Sequence, residues 1–281
     1  MSRPFFNVDP VAEADPISRS VVHLTMEFQD PNVSDSKPIP LATGTGIVAS
    51  IYPDTFILVT AWHNLSGRNP ISGKPMRGDG ALPNWVRVNG FHFKHRAKLR
   101  AGDNNPGLTN PLYLVHPAGP QVDVVVLPLP GVTQCNCDFG RLLTGGVGEN
   151  VRVADTVFVV GFPLKLTNQV DPNTPLPIWK IGNIANDPGP DFDDLPRFLV
   201  DATTLPGMSG APVVRRFNYA GDPAHQFLGI YVGRYLVPRS DHEHQGFGNE
   251  PRNESSALGW VIKLGAIFEI LKGGAPNDPN L

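Results

Sequence analysis

Hydrophobic residues in this chain come in short runs separated by turn-forming residues. In the first half such runs cover residues 20–28, 44–51, 55–61, 85–88, 112–116 and 122–129. A second set covers residues 155–162, 179–185, 197–202, 211–216, 227–233 and 257–262. Short apolar or alternating runs bounded by Gly, Pro and Asn are typical of β-strands, so the pattern predicts two sets of about six strands.

The end of the chain has the spacing of an amphipathic helix. Leu264, Ile267, Phe268 and Leu271 recur at intervals that place them on one helix face, and Gly273-Gly274 marks the end of the helix. The predicted fold class is therefore all-β, with two six-stranded antiparallel barrels and a C-terminal helix. The predicted division gives an N-terminal extension, a first barrel, a linker, and a second barrel with the helix, at residues 1–17, 18–131, 132–150 and 151–281.

Composition narrows the class of protein. The 281 residues include 29 Gly and 30 Pro, which suits a fold with many turns. The 23 basic and 26 acidic residues give a net charge of -3, so the chain has no excess of positive charge for binding nucleic acid. A chain of this size can bury roughly 75% of its unfolded surface, so its core needs no disulfide or metal.

Targeting and metal-binding signals are weak. No segment approaches the ~18 apolar residues of a membrane span, and acidic residues interrupt the N-terminus before a signal peptide could form. We therefore expect no membrane partner and a cytoplasmic location. The Cys135–Cys137 pair is a weak metal motif, and His242 and His244 without a third cluster are typical of an exposed loop. No metal or cofactor is predicted.

Three polar residues stand out against their surroundings. His63 follows a strand-like run directly, and Asp123 opens an otherwise apolar run, where an unpaired carboxylate would be costly. Ser209 lies between Gly207 and Gly210, which allow a tight turn whose N–H groups point at a substrate oxygen. Taken singly, these residues also fit a hydrogen-bonded core histidine, a turn-capping aspartate and an ordinary glycine-rich turn.

Their order along the chain changes this interpretation. A histidine and an aspartate in the first half and a serine in the second half follow the chymotrypsin order of a catalytic triad. The segments "GTGIVAS", "LVTAWHN", "VDVVVLPL", "DTVFVVGFP" and "GMSGAP" follow one another as in trypsin-like serine peptidases. Over roughly residues 18–272 the sequence resembles this family, and in particular its HtrA/Deg-like bacterial branch. The resemblance implies that both barrels are Greek-key barrels of the chymotrypsin fold.

The resemblance also implies roles for the site residues. Ser209 would attack the scissile carbonyl, His63 would act as general base and then as general acid, and Asp123 would orient the imidazole. The N–H groups of Gly207 and Ser209 would form the oxyanion hole. The implied reaction is hydrolysis of a protein or peptide substrate through an acyl-enzyme intermediate, without a cofactor.

One departure from the family bears on activation. Trypsin and its near relatives carry Asp at the position of Met208, where a newly cut N-terminus pairs with it. Met208 cannot form that ion pair, so trypsinogen-like activation is not expected here. Long connections are often functional, and we expect at least one of residues 66–83, 164–175 and 236–255 to pack on the turn at residues 206–209 or to close over the cleft.

The substrate pocket is also assigned by resemblance. Its floor would come from Thr203 and Thr204, and its wall from Tyr231 and Gly233. These residues carry no charge, so a neutral pocket for an apolar or small side chain is expected, although Arg234 at the rim leaves an acidic preference open.

Three classes of function remain open at this point. They are an active serine endopeptidase, a catalytically silent protease-fold binding or regulatory module, and an esterase that uses the same triad. HtrA-like relatives often carry a PDZ domain after the protease domain, whereas this chain ends within ten residues of the predicted helix. Substrate recognition is therefore expected to come from loops or from a regulatory protein partner.

Overall fold

The computed structural model describes residues 14–52, 55–101, 111–132, 151–164, 168–171, 174–219, 222–236, 255–273 and 275–276. The elements of the first half are α1 (Pro16–Ser20), β1 (Val21–Phe28), β2 (Ile39–Tyr52), β3 (Thr55–Thr60), α2 (Trp62–Ser66), β4 (Trp85–Gly90), β5 (Phe93–Lys98), β6 (Leu114–Val115) and β7 (Val125–Pro128). Those of the second half are β8 (Thr156–Gly161), β9 (Asn168–Asp171), β10 (Thr174–Leu176), β11 (Ile178–Ile184), β12 (Arg197–Asp201), β13 (Ala211–Tyr219), β14 (Asp222–Leu236), β15 (Ser255–Lys263), α3 (Leu264–Gly273) and β16 (Ala275–Pro276).

The first sheet contains all seven strands of the first half together with β16. Its order is β16-β6-β7-β3-β2-β1-β4-β5, and the paired strands are antiparallel. An isolated bridge between Arg100 and Pro111 brings the segment after β5 against the segment before β6. This bridge links β5, at one end of the sheet, to the region of β6, near the other end. The sheet therefore curls toward a barrel.

The second sheet is a closed barrel of six strands in the order β11-β12-β15-β14-β13-β8. Neighbouring strands are antiparallel throughout. The predicted all-β, two-barrel, chymotrypsin-like fold is confirmed. The first sheet has two strands beyond the six runs predicted for it, β5 and the short β16.

Three hydrophobic clusters hold this architecture together. One fills the first sheet and another fills the second barrel. The third lies between them and takes buried residues from both barrels, from α1 and from α3, among them Ile17, Val59, Val124, Phe162 and Ile267. The two barrels therefore share one continuous apolar interface. Apolar burial is the main stabilising contribution in folding, so this interface holds the barrels together.

The predicted C-terminal helix is present as α3, with a shifted buried face. Ala266, Ile267 and Ile270 are buried, whereas Phe268 is exposed. The helix packs its alanine against the interface between the barrels, so the inward face is centred on Ile267. Among the described helices, none is long and apolar enough to cross a membrane.

The ends of the described chain connect elements distant in sequence. Ala275 pairs with Val115, so the segment after α3 returns to the first sheet. Trp179 Nε1 donates to Ser18 Oγ at 2.8 Å, which joins α1 to the second barrel. The domain division given by the sequence stays a prediction, and residues 133–150 of its linker lie outside the described residues.

Candidate active site

A one-turn helix carries His63. Strand β3 ends at Thr60, Ala61 caps the helix in an extended conformation, and Gly67 ends it with a φ of 68°. The Gly67 N–H donates to the carbonyl oxygen of His63 at 3.0 Å. The sequence placed His63 at the end of the strand, and the structure corrects this: His63 lies in α2, which turns its side chain out of the sheet.

A tight turn before β7 presents Asp123. Val124 N–H donates to the carbonyl oxygen of Val122 at 2.6 Å, closing a three-residue turn centred on the aspartate. Both valines are fully buried between the barrels. The carboxylate binds His63 twice, through Nδ1 at 2.7 Å and through the main-chain N–H at 2.9 Å. The buried aspartate is therefore paired, as its position in an apolar run required.

This pairing sets the protonation of the imidazole. Burial lowers the pKa of His63, but the charge of Asp123 and its hydrogen bond act against burial and prevail. The net result is a pKa above the ordinary value. With Nδ1 held by the carboxylate, Nε2 is the ring nitrogen available to accept a proton.

The Ser209 turn requires glycine at two positions. Gly207 has a φ of 95° and Gly210 a φ of 89°, both in the left-handed region that side chains rarely adopt. A Cβ on Gly207 would lie 2.6 Å from the Phe162 carbonyl oxygen, and one on Gly210 would overlap the Thr45 carbonyl oxygen. The glycines recognised in the sequence therefore permit a close approach between the serine turn and its neighbours.

The Ser209 hydroxyl is hydrogen-bonded to strand β14 in this structure. Its Oγ donates to the carbonyl oxygen of Val232 at 3.3 Å, and within the described part of the chain it makes no hydrogen bond to His63. A 3.3 Å bond is long for a hydroxyl donor. Rotation about the serine Cα–Cβ bond would break only this weak contact.

Two main-chain donors at the turn have no acceptor among the described residues. These are the N–H groups of Gly207 and Ser209, whereas Met208 N–H donates to Leu205 at 3.3 Å and Gly210 N–H donates to Tyr231 at 2.8 Å. An oxyanion hole requires unpartnered N–H donors of this kind within one turn.

The orientation of the Gly207 N–H is fixed from behind. Leu164 N–H donates to the Pro206 carbonyl oxygen at 2.8 Å. A peptide C=O and the following N–H point in opposite directions, so this bond turns the Gly207 N–H away from Leu164. Leu164 begins the connection at residues 164–175, which therefore contacts the turn as expected. Residues 237–254 of the third predicted connection lie outside the described residues.

Two buried polar residues that sequence reasoning missed join the serine turn to the first barrel. Thr45 Oγ1 donates to the Gly207 carbonyl at 2.8 Å and accepts from Phe162 N–H at 2.9 Å. Asn64 Nδ2 donates to the Ser209 carbonyl at 2.8 Å. Thr45 N–H donates to the same carbonyl at 2.9 Å. The signal in the sequence was a polar residue inside each apolar motif, "GTGIV" and "WHNL".

The residues assigned to the substrate pocket divide into two groups. Thr204 is buried, and its Oγ1 lies 2.6 Å from the Tyr231 hydroxyl. A Cβ on Gly233 would contact nothing within 4 Å, so there is open space beside this residue. Thr203 is exposed and makes no hydrogen bond to this pair among the described residues. The structure thus brings Thr204 and Tyr231 together and leaves Thr203 at the surface.

No group of three or more His, Cys, Asp or Glu residues that could hold a metal occurs in the described ranges. The two sequence signals weighed for metal binding, Cys135 with Cys137 and His242 with His244, lie outside those ranges.

Met208 and the N-terminal region bear on activation by N-terminal cleavage, which we do not expect for this chain. Met208 is fully buried in the core of the second barrel, with no charge for an incoming ammonium group. Ile17 is fully buried between the barrels, and Asp15 caps α1 by accepting from the Ile17 N–H at 2.9 Å. Residues 15–20 are therefore a structural part of the folded protein.

Deletion of residues 1–20 is expected to lower the melting temperature and to give no gain in peptide turnover. The deletion removes Ile17 and the Ser18–Trp179 hydrogen bond. The point variant Ile17→Ala should already cost about 2–5 kcal/mol, the usual range for truncating a buried aliphatic side chain. Thermal unfolding and a peptide assay on both variants test this. Increased turnover after the deletion would contradict it.

Two antiparallel β-barrels with a histidine–carboxylate pair and a glycine-flanked serine at their junction define a hydrolase of the chymotrypsin-fold class. Comparison with known families gives the same answer: the family model described as "Trypsin-like peptidase domain" matches residues 44–218, more than half of the chain. The chain belongs to this family and is thus a serine protease.

Other comparisons are less specific. No significant match was found among curated proteins. Solved structures similar to this chain include the Rv3671c protease from M. tuberculosis in its active form, with 19% identity, a TM-score of 0.47, and coverage of 99% of this chain and 96% of that chain. The inactive form of the Rv3671c protease has 18% identity, a TM-score of 0.47, and coverage of 94% and 95%. Because these sequence identities and TM-scores are low, the assignment to the family rests on the match to the family model.

Proposed function

We propose that this protein is a serine endopeptidase that uses His63, Asp123 and Ser209 as a catalytic triad. The observation that carries the proposal is the 2.7 Å contact between His63 Nδ1 and Asp123 Oδ2. It holds the imidazole in the tautomer whose Nε2 can accept a proton from a nucleophile. The substrate class is a protein or peptide, as expected of the family.

The hydrogen bond of Asn64 supports the place of Ser209 in the triad. Asn64 follows His63 in the chain, and its side chain donates to the Ser209 carbonyl at 2.8 Å. The histidine and the serine therefore belong to segments in direct contact. Rotation of the serine side chain would free Oγ from Val232, and the proposal requires that Oγ then bonds to Nε2; catalytic hydrogen bonds commonly tighten on substrate binding.

The proposed reaction has two half-reactions. Ser209 Oγ forms a bond to the scissile carbonyl carbon while its proton passes to His63 Nε2. The resulting oxyanion accepts hydrogen bonds from the Gly207 and Ser209 N–H groups. His63 then gives the proton to the leaving amine, the C–N bond breaks, and an acyl-enzyme remains. Water, deprotonated by His63, hydrolyses the ester and restores Ser209.

A fluorophosphonate probe tests the proposal directly. We expect the probe to label wild-type protein at Ser209, to leave Ser209→Ala unlabelled, and peptides to be cleaved internally by the wild type alone. Absence of both labelling and turnover would indicate a catalytically silent module. Turnover of small esters without cleavage of any peptide in a broad library would indicate an esterase.

The pH dependence of kcat/KM should report the His63 pair. Only neutral imidazole can act as a base, and Asp123 raises the pKa of His63. Activity should therefore rise with pH through a midpoint above the ordinary value of about 6.5. In Asp123→Asn the opposing charge is lost and burial remains, so the midpoint should move down and kcat should fall by roughly 10⁴-fold. An unchanged midpoint in this variant would contradict the pairing.

A further inference from the structure

Strand β14 lies against the serine turn and contributes the wall beside it. Gly210 N–H donates to the Tyr231 carbonyl at 2.8 Å, and Ser209 Oγ donates to the Val232 carbonyl at 3.3 Å. The next residue, Gly233, has open space where a side chain would be. When the scissile carbonyl of a substrate lies at Ser209 Oγ, the side chain of that same substrate residue would lie beside residues 231–234.

A buried hydroxyl pair lies behind this wall, in the second barrel. Thr204 and Tyr231 are 1% and 2% exposed, and their oxygens are 2.6 Å apart. The pair has two hydrogens, and the bond between the oxygens uses one of them. Neither hydroxyl donates to any other described group, so one buried O–H lacks an acceptor.

The Tyr231 hydroxyl of this pair stays protonated at neutral pH. Burial raises the pKa of Tyr231, and the opposing effects of the Thr204 hydrogen bond and the Arg234 charge do not offset burial. Tyr231 therefore remains a hydrogen-bond donor under ordinary assay conditions.

Arg234 adds a positive charge to the same cluster. Its Nη2 donates to the Thr204 carbonyl oxygen, and the side chain is half-buried. No carboxylate in the described part of the chain forms an ion pair with it, whereas Arg197 and Arg215 of the same barrel each have an aspartate partner. The guanidinium has five N–H donors, and one bond to a carbonyl leaves donors available to a ligand.

We propose that Arg234, Tyr231 and Thr204 bind the carboxylate of a Glu or Asp residue that directly precedes the scissile bond. A carboxylate only accepts hydrogen bonds, and it can accept from both the guanidinium and the free hydroxyl. An apolar substrate side chain would displace water from both donors without accepting a hydrogen bond from either, and leaving donors unpaired is unfavourable. This inference rests on the proposed peptidase function and replaces the neutral pocket expected from the sequence with an acid-specific one.

The test is a set of peptides identical except at the residue before the scissile bond, which is Glu, Asp, Gln, Leu or Lys. Wild-type enzyme should cleave the better acidic peptide with a kcat/KM about 10- to 100-fold above the Gln and Leu peptides, the effect of charge-assisted hydrogen bonds. Arg234→Gln should remove this preference by bringing kcat/KM for the acidic peptides close to the values for the Gln and Leu peptides. Arg234→Lys should keep part of it.

Arg152→Gln serves as a matched control. It removes one exposed guanidinium from the same barrel, away from the cluster, and should leave the whole profile unchanged. Tyr231→Phe removes one hydroxyl of the pair and should lower the acidic preference while thermal unfolding reports whether the barrel remains intact.

Labelling by a fluorophosphonate in the same samples separates the two proposals. Enzyme that labels at Ser209 but prefers Leu, Gln or Lys overturns the acidic pocket and leaves the peptidase function standing. The same holds if Arg234→Gln retains the acidic preference. If the protein neither labels nor cleaves any peptide, the peptidase proposal fails and the pocket proposal fails with it.

Discussion

Replacing Ser209 or His63 with Ala should each reduce peptide turnover by about 10⁴- to 10⁶-fold. Both residues act in the same proton transfer, so once one is replaced, replacing the other removes no further catalysis. The double variant should therefore be hardly slower than either single variant. Steady-state kinetics on the three variants measures this, with active-site titration to exclude wild-type contamination.

Ser72→Ala is a matched control for the serine. Ser72 is exposed in the connection between α2 and β4, and its removal should leave turnover unchanged. Thermal unfolding of all variants shows whether the fold is intact. Losses from the two single variants that multiply in the double variant would contradict a triad acting as a unit.

Replacing Thr45 with Val should lower both stability and kcat. The variant keeps the shape of the side chain and removes the hydroxyl that joins the Gly207 carbonyl to the Phe162 N–H. Two buried polar groups then lack a partner, which should cost about 2–5 kcal/mol of unfolding free energy. The Gly207–Met208 peptide also loses its anchor, so kcat should fall by roughly 10- to 100-fold.

Thr45→Ser restores the hydroxyl and is the control for this prediction. It should recover most of the lost kcat, although a missing methyl group in a buried site retains a small stability cost. Denaturant unfolding and steady-state kinetics give the two quantities separately. If Val reduces stability while kcat stays at the wild-type value, Thr45 is structural and does not position the oxyanion hole.

Much of the fold followed from periodicity, because most strands are long enough to show it. The runs at residues 20–28 and 155–162 became β1 and β8 with little change at either end. Helices α1 and α2 have five residues each, too few for a helical repeat to appear. The buried face of α3 could not be predicted from the sequence either, because it depends on where the two barrels meet.

The candidate site divides in a similar way. His63, Asp123 and Ser209 interrupt apolar or glycine-rich patterns, so each leaves a local mark in the sequence. Asn64 contacts a serine turn 145 positions away, and no local pattern reports such a contact. Arg234 was noticed as a charge near the rim. Its lack of an acidic partner among the described residues is a property of the folded chain.

The return of β16 to the first sheet bears on when the protein can become active during its synthesis. Ala275 pairs with Val115, and Ala266, Ile267 and Ile270 of α3 belong to the hydrophobic cluster between the barrels. The ribosome releases the chain from the N-terminus onward, so a nascent chain with the first barrel and the serine turn still lacks the residues that cover the junction. The site can then assemble fully only on a chain extended past α3. We therefore expect proteolytic activity only after the ribosome has released α3 and β16.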